Sequence, residues 1–186
     1  LLESLVAESR ALSAGRHSVE LEFDGPIRLL GVPAEIESAV RNLLTNAVRY
    51  TPEAGKVVLG WKVRDDEGWL SVRDTGIGIA AEHLPRITER FYRVDRSRSR
   101  DTGGTGLGLA IVKRIANRHH ASLRIDSEPG KGSTFTLRFP ARRLLAEAPT
   151  GDAPAAVDSQ PDNSAQLSLL EPADSPLAGG AAPSRG

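Results

Sequence analysis

The sequence predicts an α+β two-layer sandwich, a mixed sheet covered on one face by three helices and followed by a tail that does not fold. Three stretches space their apolar residues at the 3.6-residue period of a helix with one buried face. Several short stretches instead read as strands bounded by turn residues, and beyond Ala146 the composition changes abruptly.

The first helix is LLESLVAESRALSAG, with Leu2, Leu5 and Val6 at helical spacing and Gly15 as its stop. HSVELEF alternates as a strand, and IRLLG follows as another after Asp24, Gly25 and Pro26. A helix from Pro33 through Tyr50 has Ile36, Val40, Leu43, Leu44 and Ala47 on one apolar face, and Thr51 and Pro52 end it. VVLGWKV and GWLSVRD are strands joined through Asp65, Asp66, Glu67 and Gly68. A short helix is expected around Ala80 to Leu84, ahead of an Arg-rich stretch. The last helix, Gly106 to His119, buries Leu107, Leu109, Ile111, Val112 and Ile115. SLRIDS and STFTLRF close the domain as a hairpin around Pro129, Gly130 and Gly132, and no internal repeat is visible.

With 39% hydrophobic and 26% charged residues, the 186-residue chain has apolar material for one core. The segment beyond Ala146 has no aromatic residue and is dominated by Ala, Pro, Ser, Gly and Asp, so it cannot offset its ordering entropy and is expected to be disordered. It holds six of the 24 acidic residues and one of the 24 basic ones, leaving 18 acidic against 23 basic and a net +5 on the folded part. That excess suits a polyanionic ligand, but the basic residues are not gathered on one face, and no nucleic acid is expected. The densest cluster, Arg90, Arg93, Arg96, Arg98 and Arg100, reads by itself as a solvated loop. The absence of Cys excludes disulfides, thiolate catalysis and Cys-based metal sites. No run approaches the roughly 18 apolar residues of a membrane-spanning helix. A chain that starts at Leu1 and contains no Met is expected to be a fragment whose targeting information lies elsewhere.

Three motifs carry chemistry. GGTGLGL, from Gly103 to Leu109, opens a helix, where bare backbone N–H groups can face an anion and missing side chains let a phosphate approach. It fits neither the dinucleotide pattern GxGxxG nor a P-loop, and such a run also serves as an ordinary loop. Asn42 and Asn46 lie four apart on one helix face, with Arg49 nearby. Their amides can make interhelix hydrogen bonds, or an amide oxygen can give a hard neutral ligand to Mg²⁺ whose other sites are phosphate and water. Asp74 ends a strand that runs into DTGIGI. It can accept from an exocyclic amine while Gly76 and Gly78 leave room for a purine, or it can simply cap a turn.

Together these elements resemble the ATP-binding catalytic domain of sensor histidine kinases. NLLTNAVRYTP matches the N box, DTGIGI the first glycine box, ERFYRVD the F box, GGTGLGLAIVK the second glycine box and GKGSTF a later one. All occur in the family's order and spacing, across roughly Leu1 to Pro140. The resemblance implies the Bergerat-type sandwich shared with certain chaperones, topoisomerase subunits and mismatch-repair ATPases. Within the kinases, LPRITERFYRVDRSRSRDTGGTGLGLAIVK is most similar to the phosphate-regulon sensors, in which Thr is typical where this chain has Thr88 and many kinases carry Phe.

The resemblance also implies roles. Asn46 would coordinate Mg²⁺ and Asn42 would sit beside the metal and phosphates, while Arg49 and Tyr50 would contact the nucleotide. Asp74 would read the adenine amine in a pocket shaped by Gly76, Gly78 and Ile79, and Thr134 would support Asp74 through water. Arg93 would meet the charge growing on the transferring γ-phosphoryl group. Gly104, Gly106 and Gly108 would hold the phosphates, with Thr105 and Leu107 between them. Val94 to Thr105 would form a lid over ATP, expected to be mobile without nucleotide.

Hydrolysing relatives place a Glu four residues before the metal-binding Asn, where it can activate water. Here that position is Asn42, so phosphoryl transfer is expected rather than hydrolysis. A phosphoacceptor His in this family is followed by Glu or Asp. His17, His83, His119 and His120 are not, and are read as surface or strand residues. The implied organisation is the end of a linker helix over residues 1–16, a catalytic domain over 17–141 and an acidic tail over 142–186. The expected partners are the protein's own dimerisation and phosphoacceptor domain, absent from this chain, a second copy of the intact protein, and a response regulator. The domain is expected to be cytoplasmic and the intact protein anchored in the inner membrane of a bacterium. A Bergerat ATPase and a nucleotide-binding scaffold are the alternatives. AQLSLLEP, with its apolar patch at Leu167 to Leu170, resembles a bacterial sliding-clamp-binding peptide, a short match that is more often accidental in a low-complexity tail.

Overall fold

A computed structural model describes residues 1–24, 27–94 and 105–146. Residues 147–186 of the expected tail, which include the segment around Leu167, as well as Gly104 and most of the expected lid, lie outside these residues, whereas 142–146 belong to the fold.

The chain runs α1 (Leu2–Ser13), β1 (Ser18–Phe23), β2 (Ile27–Leu29), α2 (Pro33–Tyr50), β3 (Lys56–Arg64), β4 (Glu67–Asp74), α3 (Gly108–Arg118), β5 (Ser122–Glu128), β6 (Gly132–Phe139), a 3₁₀ turn (Ala141–Arg143) and β7 (Leu144–Ala146). Five strands form one sheet in the order β1-β3-β4-β6-β5, and β2 and β7 pair separately. The β1–β3 pair is parallel and the other pairs are antiparallel, so the sheet is mixed as expected. Strand alternation sends Val57, Leu59 and Trp61 of β3, Leu70 and Val72 of β4, and Phe135, Leu137 and Phe139 of β6 to the helix-covered face, where all are buried. Leu43 and Leu44 of α2, Val112 of α3 and Leu5 and Val6 of α1 meet them in one core.

Pro at the first helical position starts α2, its missing N–H lost where no intrahelical partner exists. The expected short helix around Ala80 to Leu84 is instead a series of turns, with bonds such as His83 N to Ala80 O and Arg86 N to His83 O. Pro85 has no N–H with which to continue a helical ladder. The last helix starts at Gly108 rather than Gly106, because Gly106 holds a left-handed φ of 71°. Its buried stripe is Val112, Ile115 and Ala116, whereas Ile111 is 40% exposed and Leu107 and Leu109 are only partly covered.

The β3–β4 connection is tighter than expected. Only Asp65 and Asp66 turn, both at positive φ, and Glu67 and Gly68 belong to β4. Gly68 is needed there because a Cβ would come within 2.6 Å of the Trp61 ring.

Two of the histidines read as surface or strand residues are buried connectors. His17 hydrogen-bonds Ser13 Oγ through Nδ1 at 3.0 Å and donates from Nε2 to Thr51 O at 2.9 Å, tying the end of α1 to the end of α2. His119, 2% exposed, donates from Nδ1 to Ile115 O and accepts at Nε2 from Val32 N–H, which fixes the opposite tautomer.

Candidate nucleotide-binding site

The candidate site gathers where β4 ends, α2 ends and α3 begins. Strand alternation turns Asp74 toward the helices, and the residue is only 7% exposed. Oδ1 accepts the Gly76 N–H at 2.8 Å and the Ser133 N–H at 3.2 Å. Burial raises the Asp74 pKa above the ordinary carboxylate value, and the two N–H donors oppose that rise without cancelling it.

The DTGIGI loop after Asp74 needs its glycines. A Cβ on Gly76 would lie 2.6 Å from both Asp74 Oδ1 and Tyr50 O. Gly78 has φ of 68° and would drive a Cβ into Glu128 O. Main-chain bonds hold the loop at three points, Thr75 N to Lys56 O at 3.0 Å, Ile77 N to Tyr50 O at 3.1 Å and Gly130 N to Ile77 O at 2.8 Å. The backbone thus approaches Asp74 closely, leaving a flat, bare-walled turn beside a buried acceptor.

On α2, Asn42 and Asn46 are both partly buried, and Arg49 and Tyr50 are exposed beyond them. Asn42 Nδ2 donates to Ser38 O at 2.8 Å, so the amide contributes its oxygen elsewhere, and Oδ1 lies 2.9 Å from the place a Gly108 Cβ would occupy. Gly108 is therefore the residue that lets α3 begin against Asn42. The Asn46 amide has no hydrogen-bond partner among the described residues. Among the described residues no side chain caps the start of α3, which leaves its first-turn N–H groups facing the space beside Asn42, where an anion would be favoured.

The second glycine box also touches the F box. Phe91 N donates to Gly106 O at 3.0 Å, and a Cβ on Gly106 would lie 2.9 Å from Phe91 Cα. Tyr92 is held by His83 Nδ1 at 2.9 Å and by the Arg86 guanidinium 4.4 Å above its ring. Arg93 follows directly and is partly buried.

Thr134 does not support Asp74. The β4–β6 register sets Asp74 opposite Ser133, and Thr134 opposite Arg73 on the other face of the sheet. Ser133 takes the expected place, and Ser127 joins it. Ser127 Oγ accepts the Ile79 N–H at 2.8 Å, donates to Gly132 O at 3.1 Å and lies 2.9 Å from Ser133 Oγ. Reading these two serines from sequence required the pairing register of two hairpin strands, whereas only the glycines around them announced themselves.

A buried acceptor beside bare glycines, a pair of helix amides and an uncapped helix start define an ATP-binding module. Residues 31–143 match the model of the histidine kinase-, DNA gyrase B- and HSP90-like ATPases, and the chain belongs to that family. It is 54% identical over 149 residues to the phosphate regulon sensor protein PhoR of Pseudomonas aeruginosa, covering 80% of this chain and 33% of that protein. It is 42% identical over 144 residues to the sensor-like histidine kinase SenX3 of Mycolicibacterium smegmatis, covering 75% and 38%. The chain thus spans about a third of the length of these curated relatives. Among solved structures, the mycobacterial sensor histidine kinase MprB superposes with a TM-score of 0.67 at 28% identity over 75% of this chain and 92% of that one. Full-length ShkA in complex with AMPPNP superposes with a TM-score of 0.64 at 28% identity, covering 80% of this chain and 31% of that one.

Proposed function

We propose that this chain is the catalytic domain of a two-component sensor histidine kinase of the phosphate-regulon type. It binds Mg·ATP and passes the γ-phosphoryl group to a histidine in a dimerisation domain outside residues 1–186, for relay to a response regulator. Residues 1–16 are the end of the linker helix from that domain; the catalytic domain extends past residue 141 to include β7, which pairs with β2, and the residues beyond Ala146 are an appended tail. The intact protein works as a membrane-anchored homodimer with this domain in the cytoplasm. No helix among the described residues is long and apolar enough to cross a membrane.

The observation that carries the reading is Asp74 buried behind Gly76 and Gly78, one helix end away from Asn42, Asn46 and the bare start of α3. Asp74 accepts the exocyclic amine of adenine, with Ile79 beside the base and Arg49 and Tyr50 along the nucleotide. Gly104, Thr105, Gly106, Leu107 and Gly108 wrap the phosphates.

The residues fit magnesium. Among the described residues no cluster of three His, Cys, Asp or Glu side chains exists to cage a metal unaided. An unpaired amide oxygen at Asn46 suits an ion whose other ligands are phosphate and water. Once bound, the metal neutralises phosphate charge. Arg93 adds a fixed positive charge for the transferring group, and the helix α3 start positions its oxygens.

Asn42 favours transfer over hydrolysis. An amide has no basic lone pair with which to take a proton from water, and Asn42 Nδ2 is already committed to Ser38 O. The purified chain is therefore expected to bind ATP with Mg²⁺ while releasing phosphate slowly and without labelling itself. A fast Mg²⁺-dependent ATPase abolished by Asn46→Ala contradicts the kinase assignment and favours the hydrolysing branch of the family.

A further inference from the structure

One cross-strand row on the helix-covered face runs from Asp74 through Ser133 to Ser127, on β4, β6 and β5. The Ser127 hydroxyl makes every bond that it can. It has one proton, given to Gly132 O at 3.1 Å, and two lone pairs, one of which takes the Ile79 N–H at 2.8 Å. When Ser127 gives that proton to Gly132 O, the bond with Ser133 Oγ at 2.9 Å is donated by Ser133. With its proton turned toward Ser127, Ser133 Oγ presents only lone pairs on its other side. Asp74, next in the row, is likewise an acceptor.

We propose that Ser127 is a positioning residue for base selection. It pins Ile79, and with it the Gly76–Gly78 loop, to the β5–β6 hairpin that backs Asp74. It also holds Ser133 as an acceptor, so that this end of the pocket takes a purine with a 6-amino donor and rejects a 6-oxo purine. A site whose polar groups match a donor discriminates strongly, because the wrong base leaves buried acceptors facing an acceptor. The proposal rests on the nucleotide reading above.

The test is calorimetric titration of the 186-residue chain with ATP and with GTP, together with hydrogen exchange at Ile79. Ser127→Ala is expected to weaken ATP binding by about tenfold and GTP binding far less, and to speed exchange of the Ile79 amide. Ser127→Thr, which keeps the hydroxyl, restores both. Ser133→Ala narrows the ATP-to-GTP ratio while leaving the Ile79 amide protected. A purely structural role for Ser127 would instead weaken both nucleotides alike. Wild-type ATP-to-GTP ratios in both alanine variants overturn the proposal, and if Ser127→Ala does not fold by circular dichroism, Ser133→Ala decides alone. Asp74→Asn separates the two levels: if that change also leaves ATP affinity untouched, it is the nucleotide reading that falls.

Discussion

At the scale of single residues, Asp74, the proposed adenine acceptor, is held buried at the expense of stability. Burial disfavours its ionised form more than the Gly76 and Ser133 N–H groups favour it, so the folded state holds the Asp74 proton more tightly than the unfolded chain does. The stabilising contribution is present below the ordinary carboxylate pKa and is lost as pH rises through the raised folded value. At neutral pH the carboxylate is a net liability to the empty fold. Asn keeps an oxygen for both N–H donors and never ionises. Asp74→Asn is therefore expected to melt no lower than wild type at pH 7, with the gap closing as pH falls toward ~4, while ATP affinity drops at least about tenfold. Thermal melts across that range check the first part, and a variant that melts well below wild type at pH 7 contradicts it.

Asp74, Gly76 and Gly78 were legible in sequence because their chemistry is contiguous along the chain. Ser127 and Ser133 were not, since their roles depend on which residue stands opposite which. Thr134 illustrates the hazard: a shift of one residue sends a side chain to the opposite face of the sheet. His17 and His119 were misread for a related reason. In each ring one nitrogen bonds a residue four positions back and the other a distant element, Thr51 for His17 and Val32 for His119, and local sequence carries no trace of the distant bond.

At the scale of elements, helical periodicity located α1, α2 and α3 well, and the ends were decided by backbone chemistry. Pro33 starts α2, left-handed Gly106 delays α3, and Pro85 prevents a helix before it. The β3–β4 turn is the clearest case of a local conflict. Asp65 and Asp66 both occupy positive φ, at 50° and 59°, in a two-residue hairpin that favours Gly at its second position. Asp66→Gly is expected to stabilise the fold by roughly 0.5–1 kcal/mol by relieving that backbone strain. Urea unfolding gives the answer directly, since an unchanged or lower midpoint would show that the aspartates are not strained there.

At the scale of the whole molecule, the sandwich explains why the site assembles at one edge. The sheet fixes Asp74 and its serine row, while α2 and α3 bring their amides and bare N–H groups to the same end. The opposite ends of those helices are fastened through His119 to the β2–α2 connection. The sequence motifs pointed to the ligand class because bare glycines and amide oxygens are what a phosphate and a hard cation require close by. They could not disclose how the domain's two ends are tied, which is a property of packing. On the proposed function, the chain supplies the nucleotide and the charge for transfer, and the receiving histidine comes from outside residues 1–186.

The decisive measurement is transfer of label from γ-labelled ATP to a dimerisation and phosphoacceptor domain of the phosphate-regulon sensor type, added in trans to the purified chain. The expected result is Mg²⁺-dependent labelling of that domain as an acid-labile, alkali-stable phosphohistidine, lost with Asn46→Ala. Release of labelled phosphate to water at a comparable or greater rate, with no labelled histidine, contradicts it.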